Sequence, residues 1–416
     1  MNIIDGFADP EVIDQPYDFF SLLRNERPVF YSKALGAYVV SRSADARQVL
    51  QNPDLFTSIP AFSEESGGNY NFAPEYNHLY DDAGVPRQVA TLVITEGAEH
   101  RRYRDMVGAV FGISIVKKLT PNINEAALGL IDRFIDRGEA DLHSEFCQQL
   151  PLIVMCDLLG WPRSNVDLLQ RSASALGRLT AGGFETPEAR IKLHKDQVEF
   201  HQYALTQLER VRKEPDGSVL SHIVHTTPAD GVPINEAEFC AMASILNIGG
   251  NETTVSGLGS LLYMLASDPE QQEALRRNRE LIPKFVEEAL RVETPVPFVF
   301  RWLYQDTTLD GVALPAGSTV MISLASSNRD QDVVGDPTQV DLGRKGIRNH
   351  LSFGLGVHYC LGAMLARLEL QVALERILDR TRDLRIAPRA ELRHENMITV
   401  RMLKSLPVVF TAATDS

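Results

Sequence analysis

A mainly α fold with a small β portion is predicted by three observations. Apolar residues recur at helical spacing over most of the chain, the longest such stretch has a legible N-terminal cap, and strand patterns are confined to three short places. Asn235 and Glu238 form a capping box, and the apolar pattern after them runs to Ser267, just ahead of Pro269. At 1.5 Å per residue these roughly 33 residues would span about 50 Å, which makes this the central helix. Strands are expected at "AYVVS" near Ala37, from Thr307 to Leu324 and from Ile398 to Phe410. Within the second, Asp310-Gly311 is a hairpin turn signal and Pro315-Ala316-Gly317 marks another turn. A further helix begins at or just after Cys360, where Leu361, Met364, Leu365, Leu368 and Val372 share one face. No linker, low-complexity run or repeat divides the 416 residues, so 1–416 are read as a single domain.

Composition then removes several function classes. The chain is 44% apolar, which supports a sizeable core, and its net charge of −14 would repel a phosphate backbone, so no nucleic-acid partner is expected. Its opening, "MNIIDGFADPEVIDQPYDFF", has neither a basic segment nor an apolar run. Neither a signal peptide nor a membrane anchor is expected, and the protein is read as cytoplasmic. Cys147, Cys156, Cys240 and Cys360 show no CxxC spacing, which argues against a disulfide framework or a zinc cluster.

Four stretches carry candidate chemistry. In "HLSFGLGVHYCLGAMLARLEL" the Cys360 thiol stands at a helix start, where partial positive charge and unpaired N–H groups favour the thiolate, the form that binds a metal or attacks. Gly354 and Gly356 strip side chains from the preceding loop, Phe353 can shield the sulfur, and a flat partner could then come close. A buried cysteine acting as a small hydrophobe is the bland alternative. In "NIGGNETTVSG", Gly249 and Gly250 weaken an otherwise good helix by about 1 kcal/mol each, so something is expected to approach the backbone there. Glu252 and Thr253 place a carboxylate and a hydroxyl just beyond, though a kinked core helix with Glu252 in solvent reads equally well. In "FVEEALRVETPVPFVFR", Glu288 and Arg291 can pair on one helix face, and Arg301 follows an apolar run. In "EGAEHRRYRDMV", His100 and Arg104 share a face and suit a carboxylate or phosphate.

Together these stretches resemble the cytochrome P450 family of haem-thiolate monooxygenases. "FGLGVHYCLG" is similar to its Phe-x-x-Gly-x-x-x-Cys-x-Gly signature, "EALR" to its Glu-x-x-Arg pair, "GGNETT" to its oxygen-binding motif, and "HRRYR" to its His-x-x-x-Arg motif. The resemblance runs over roughly residues 90 to 410 in the family's order. It implies the single-domain fold of that family, with haem b between the central helix and the helix after the cysteine loop. Cys360 would then be the axial thiolate ligand, with Phe353, Gly354, Gly250 and Gly362 beside the cofactor. His100, Arg104, Arg301 and His358 would bond its propionates, Glu288 and Arg291 would be a buried structural pair holding the meander, and Glu252 and Thr253 would manage protons at bound O2. The family often has Ala-Gly where this chain has Gly249-Gly250, which should widen the space there.

The resemblance further implies electrons from a ferredoxin-type donor with its reductase, since no flavin or nicotinamide motif is found. Arg101, Arg102, Arg344, Lys345 and Arg348 are candidates for a basic docking patch. Substrate-pocket candidates are Leu246, Gly249, Val296, Phe298, Val299 and Met397, with the segment 72–86; they suit a hydrophobic small molecule bound by shape. A monomer is expected. The expected activity is hydroxylation, epoxidation or dealkylation. A peroxygenase, a haem carrier or gas sensor, and a cysteine-nucleophile enzyme using Cys360 and His358 are the competing readings.

Overall fold

The structure is a computed structural model describing residues 6–59, 74–180 and 186–413. Its Cα framework resolves into two compact units. The first comprises Met1–Thr57, Ile123–Leu150 and Thr253–Ser416; the second comprises Ser58–Asn122 and Pro151–Glu252.

Every described strand belongs to the first unit. In chain order they are β1 (Val29–Ser32), β2 (Ala37–Val40), β3 (Phe56–Thr57), β4 (Glu139–Asp141), β5 (Phe298–Leu303), β6 (Thr307–Leu309), β7 (Val312–Leu314), β8 (Thr319–Ser323), β9 (Thr381–Ile386) and β10 (Pro407–Ala412). A five-stranded sheet runs β1-β2-β8-β5-β3, with β2 and β8 parallel and the other neighbours antiparallel. β8 lies at its centre, and Val320, Met321, Ile322 and Ser323 are all buried, as a strand covered on both faces requires. Side chains alternate between the faces. Val40, Val320 and Ile322 join one apolar cluster, while Val39, Met321 and Phe298 join another with Phe7, Phe19 and Phe20. β6 and β7 form the expected hairpin, closed by Asp310 and Gly311 at φ of 47° and 75°. β4-β10-β9 form a third sheet. Of the predicted strand at 398–410 only the end at Pro407–Ala412 is realised, whereas β1, β3, β4, β5 and β9 carried no strand signal in the sequence.

The described part of the second unit is helical. Its helices include Gly97–Gly108, Gln149–Leu159 from Pro151 onward, Val166–Thr180, Pro187–Lys213 and the first half of the central helix. The central helix spans Glu236–Ser267 without interruption. Its capping box is made: Asn235 N–H donates to Glu238 Oε2 at 3.0 Å and Glu238 N–H to Asn235 Oδ1 at 2.9 Å. Thr186 caps the long helix after it, with Pro187 in the first turn.

Candidate functional site

The cysteine loop is built by glycine and closed by one hydrogen bond. Gly354 and Gly356 adopt φ of 70° and 76°, a left-handed backbone that side chains resist. At Gly356 a Cβ would also stand 2.5 Å from the Leu50 carbonyl oxygen, so the loop can pass there only as glycine. Cys360 N–H donates to the Phe353 carbonyl at 2.8 Å, joining the two ends of the loop. The helix itself begins at Ala363, three residues later than the apolar pattern suggests, with Gly362 as its cap.

The four thiols separate cleanly. Cys147, Cys156 and Cys240 are buried, and burial raises all three, Cys156 and Cys240 to about 12, so they stay protonated. Cys360 is exposed. Around it Val357, Tyr359 and Met364 are exposed too, so the apolar face that includes Met364 opens at the first turn of the helix. An exposed cysteine, an apolar rim and a loop opened by two glycines form a cradle that fits a flat apolar cofactor bringing its own remaining metal donors. Haem is such a group. Among the described residues no three His, Cys, Asp or Glu side chains gather to hold a bare ion.

Behind this loop lies a buried ionic network. Glu288 accepts from Arg291 Nε and Nη2 at 2.8 and 2.9 Å, from the Asp341 amide at 2.9 Å and from Arg344 Nε at 3.1 Å. Burial alone would raise the Glu288 carboxyl, but these donors outweigh it and hold it below the usual carboxylate range. Arg291 also donates to the carbonyls of Pro337 and Gln339, which ties down the irregular segment before the cysteine loop. Arg344, read in the sequence as a possible docking cation, is therefore committed to Glu288. Arg102 is likewise committed, to Glu238 at 2.8 Å and Asp230 at 3.0 Å. Of the candidate patch, Arg101, Lys345 and Arg348 remain exposed.

Arg301 on β5 is buried and donates to the Phe300 carbonyl at 2.7 Å, while His358 is half-buried on the short turn Gly356–His358. In the second unit, His100 is buried and Arg104 half-buried on the helix Gly97–Gly108, as their spacing requires.

The middle of the central helix is open on one side. Ile245, Ile248, Glu252 and Thr253 are half-buried and Gly249 is exposed, in a helix otherwise mostly buried. Its two glycines have different reasons. A Cβ at Gly250 would lie 2.3 Å from the Met155 sulfur, whereas one at Gly249 meets nothing within 4 Å. Glu252 turns its carboxylate against the helix Val166–Thr180, where a Cβ on Gly177 would stand 2.7 Å from Oε2. Burial raises Glu252 to about 7.

Of the pocket candidates, Leu246 is buried and Val296 and Met397 are half-buried. Phe298 and Met397 share the lining of a cavity of about 30 Å³ in the first unit, with Phe7, Phe20 and Ile398. Phe298 stacks edge-on with Phe7 and Phe20, while Val299 faces the other side of the sheet. Residues 72 and 73 lie outside the described residues. Sequence reading missed Ile245, Ile248 and Gly177, because a uniformly apolar helix and an isolated glycine carry no mark of what they face.

The comparisons agree with this chemistry. A family model described as Cytochrome P450 matches residues 184–382. The vitamin D(3) 25-hydroxylase of Pseudonocardia autotrophica is 32% identical over 402 residues, covering 94% of this chain and 93% of that protein. Among solved structures, a cytochrome P450 from Chondromyces apiculatus matches with TM-score 0.85 at 29% identity, covering 98% of both chains. Another, from Bacillus megaterium in complex with testosterone, matches with TM-score 0.83 at 26% identity, covering 96% of this chain and 99% of that one. No helix among the described residues is long and apolar enough to cross a membrane. The chain belongs to the cytochrome P450 family of haem-thiolate monooxygenases, which bind haem through a cysteine thiolate, use O2 to oxidise organic substrates and draw electrons from a redox partner.

Proposed function

We propose that Cys360 is the axial ligand of haem b in this chain, and that the substrate is a polycyclic apolar molecule of about steroid size. The contrast among the cysteines carries the first part: three thiols are buried and one stands exposed on a glycine-turned loop. His100, Arg104, Arg301 and His358 are the donors for the propionates, and Phe353, Gly354 and Gly362 leave or shape room beside the cofactor, whereas Gly250, expected there from the sequence, makes room for Met155. When bound, haem supplies the oxidising chemistry with O2, and a thiolate ligand favours O–O cleavage. This chain's own part is to hold and move protons. Glu252, raised to about 7, carries a proton in a substantial fraction of molecules at neutral pH, and Thr253 at the next position offers a hydroxyl to relay it.

Substrate size is supported by the open face at Ile245, Ile248 and Gly249, and by the molecules named for two relatives, vitamin D(3) and testosterone. Leu246, Val296 and Met397 are the further apolar residues proposed for that pocket; Phe298, packed against Phe7 and Phe20, and Val299, on the opposite face of the sheet, do not share it. Arg101 and Lys345 are the exposed cations available to an acidic ferredoxin, while Arg348, also exposed, pairs with Glu287 at 3.4 Å. Residues 1–416 act as one catalytic domain and as a monomer, in the cytoplasm. A spin-state titration of the haem-loaded protein tests the substrate class. Steroid-sized apolar compounds should produce the low-to-high-spin change at micromolar concentration; a response confined to fatty acids or small aromatics would overturn it.

A further inference from the structure

A second buried carboxylate lies one residue before Glu288, and no motif accounts for it. Glu287 is 1% exposed and sits in a cage of donors. Arg367 reaches it with Nε at 2.7 Å and Nη2 at 3.0 Å, and His350 Nε2 lies 2.9 Å away. The Ser352 amide donates to His350 Nδ1 at 3.2 Å, so Nε2 is the ring nitrogen that donates to the carboxylate. Burial alone would raise Glu287, but the bonds from His350 and Arg367 outweigh it and hold the carboxyl down to about 2. Glu287 is therefore an anion at neutral pH, bonded to Arg367 through two nitrogens.

Arg367 occupies the second turn of the helix that follows Cys360. A cation near a helix N-terminus opposes the helix dipole, so its position calls for another cause. Its remaining contacts supply one. Nη1 lies 3.3 Å from the hydroxyl of Tyr359, the residue before the cysteine, and the guanidinium carbon sits 4.3 Å over the ring of Phe353, whose carbonyl accepts the Cys360 amide. One planar group thus touches both ends of the loop that presents the sulfur, while its charge is balanced by Glu287.

From this geometry we infer that the Glu287–Arg367 pair is a positioning device for Cys360, acting by fork and stacking geometry and not by net charge. The inference rests on Cys360 being a haem ligand. Its test is the rate at which the reduced, carbon monoxide-bound protein loses its thiolate-type Soret band in mild denaturant, read beside far-ultraviolet circular dichroism. Arg367→Gln should speed that loss by about tenfold or more while helix content persists. Arg367→Lys keeps the charge but loses the fork and the stack, and should remain nearer to Gln than to the parent. Arg348→Gln removes an exposed cation 3.4 Å from the same carboxylate and should stay within about twofold of the parent. Should Arg367→Gln fail to fold, Tyr359→Phe removes only the hydroxyl contact and should still speed the loss about threefold. A parent-like rate in Arg367→Gln, full rescue by Lys, or a parent-like rate in Tyr359→Phe where Gln cannot be read, overturns the inference. A parent protein with no thiolate band would instead overturn the assignment of Cys360.

Discussion

The cysteine loop and the middle of the central helix are both built on glycine, and they use it in opposite ways. In the loop, Gly354 and Gly356 serve rigidity: a left-handed backbone, the Leu50 carbonyl 2.5 Å from where a Cβ would be, and the Phe353–Cys360 hydrogen bond leave one conformation. Behind it, Glu287 is held by Arg367 and His350, and Glu288 by two arginines and the Asp341 amide. In the central helix, Gly249 serves room, with open space where a methyl would go, and Glu252 faces a glycine where burial alone sets its charge. A ligand bond must be held in one geometry. On the proposed function the central-helix face would receive the substrate, which needs volume and an adjustable proton.

The ionic frame behind the loop should give the largest effect when broken. Arg291→Ala would leave Glu288 buried with fewer partners and release the Pro337 and Gln339 carbonyls, so a loss of about 3–5 kcal/mol is expected in urea unfolding. A loss below about 1 kcal/mol would mean that the frame is not what fixes the loop. The glycines give a sharper contrast. Gly356→Ala should cost roughly 3 kcal/mol through left-handed strain and the Leu50 contact. Gly249→Ala should stabilise the protein by about 1 kcal/mol through helix propensity while weakening binding of the larger ligands. Equal effects of the two substitutions would erase the distinction.

Proton control at Glu252 should show in the pH dependence of stability. Its folded-state value of about 7 lies above the ordinary 4.5, so the stabilisation carried by the neutral carboxyl is complete below about 4.5 and is lost as pH rises through about 7. Unfolding midpoints of the parent should therefore fall between these values relative to Glu252→Gln. Parallel pH curves for the two proteins would show that burial does not raise this carboxyl.

What the sequence made legible was local. The central helix and its capping box, the Asp310-Gly311 hairpin and the cysteine loop each announce themselves within a dozen residues, because caps, turns and glycine positions act on their neighbours. The ionic frame does not. Arg344 meets Glu288 from 56 positions away and Arg367 meets Glu287 from 80, so each reads in the sequence as a solvated cation. Strands such as β5 and β9 were equally hidden, since their partners, and not their own alternation, decide that they pair. Gly177 becomes informative only once Glu252 is packed against it.

The central claim is that Cys360 presents a thiolate to haem iron. The reduced carbon monoxide difference spectrum of the haem-loaded protein, recorded for the parent and for Cys360→His with circular dichroism as the check on folding, tests it most directly. A red-shifted, thiolate-type Soret band is expected in the parent, with its complete loss in Cys360→His while helix content is retained. A parent without that band, or a folded Cys360→His protein that keeps it, would contradict the account.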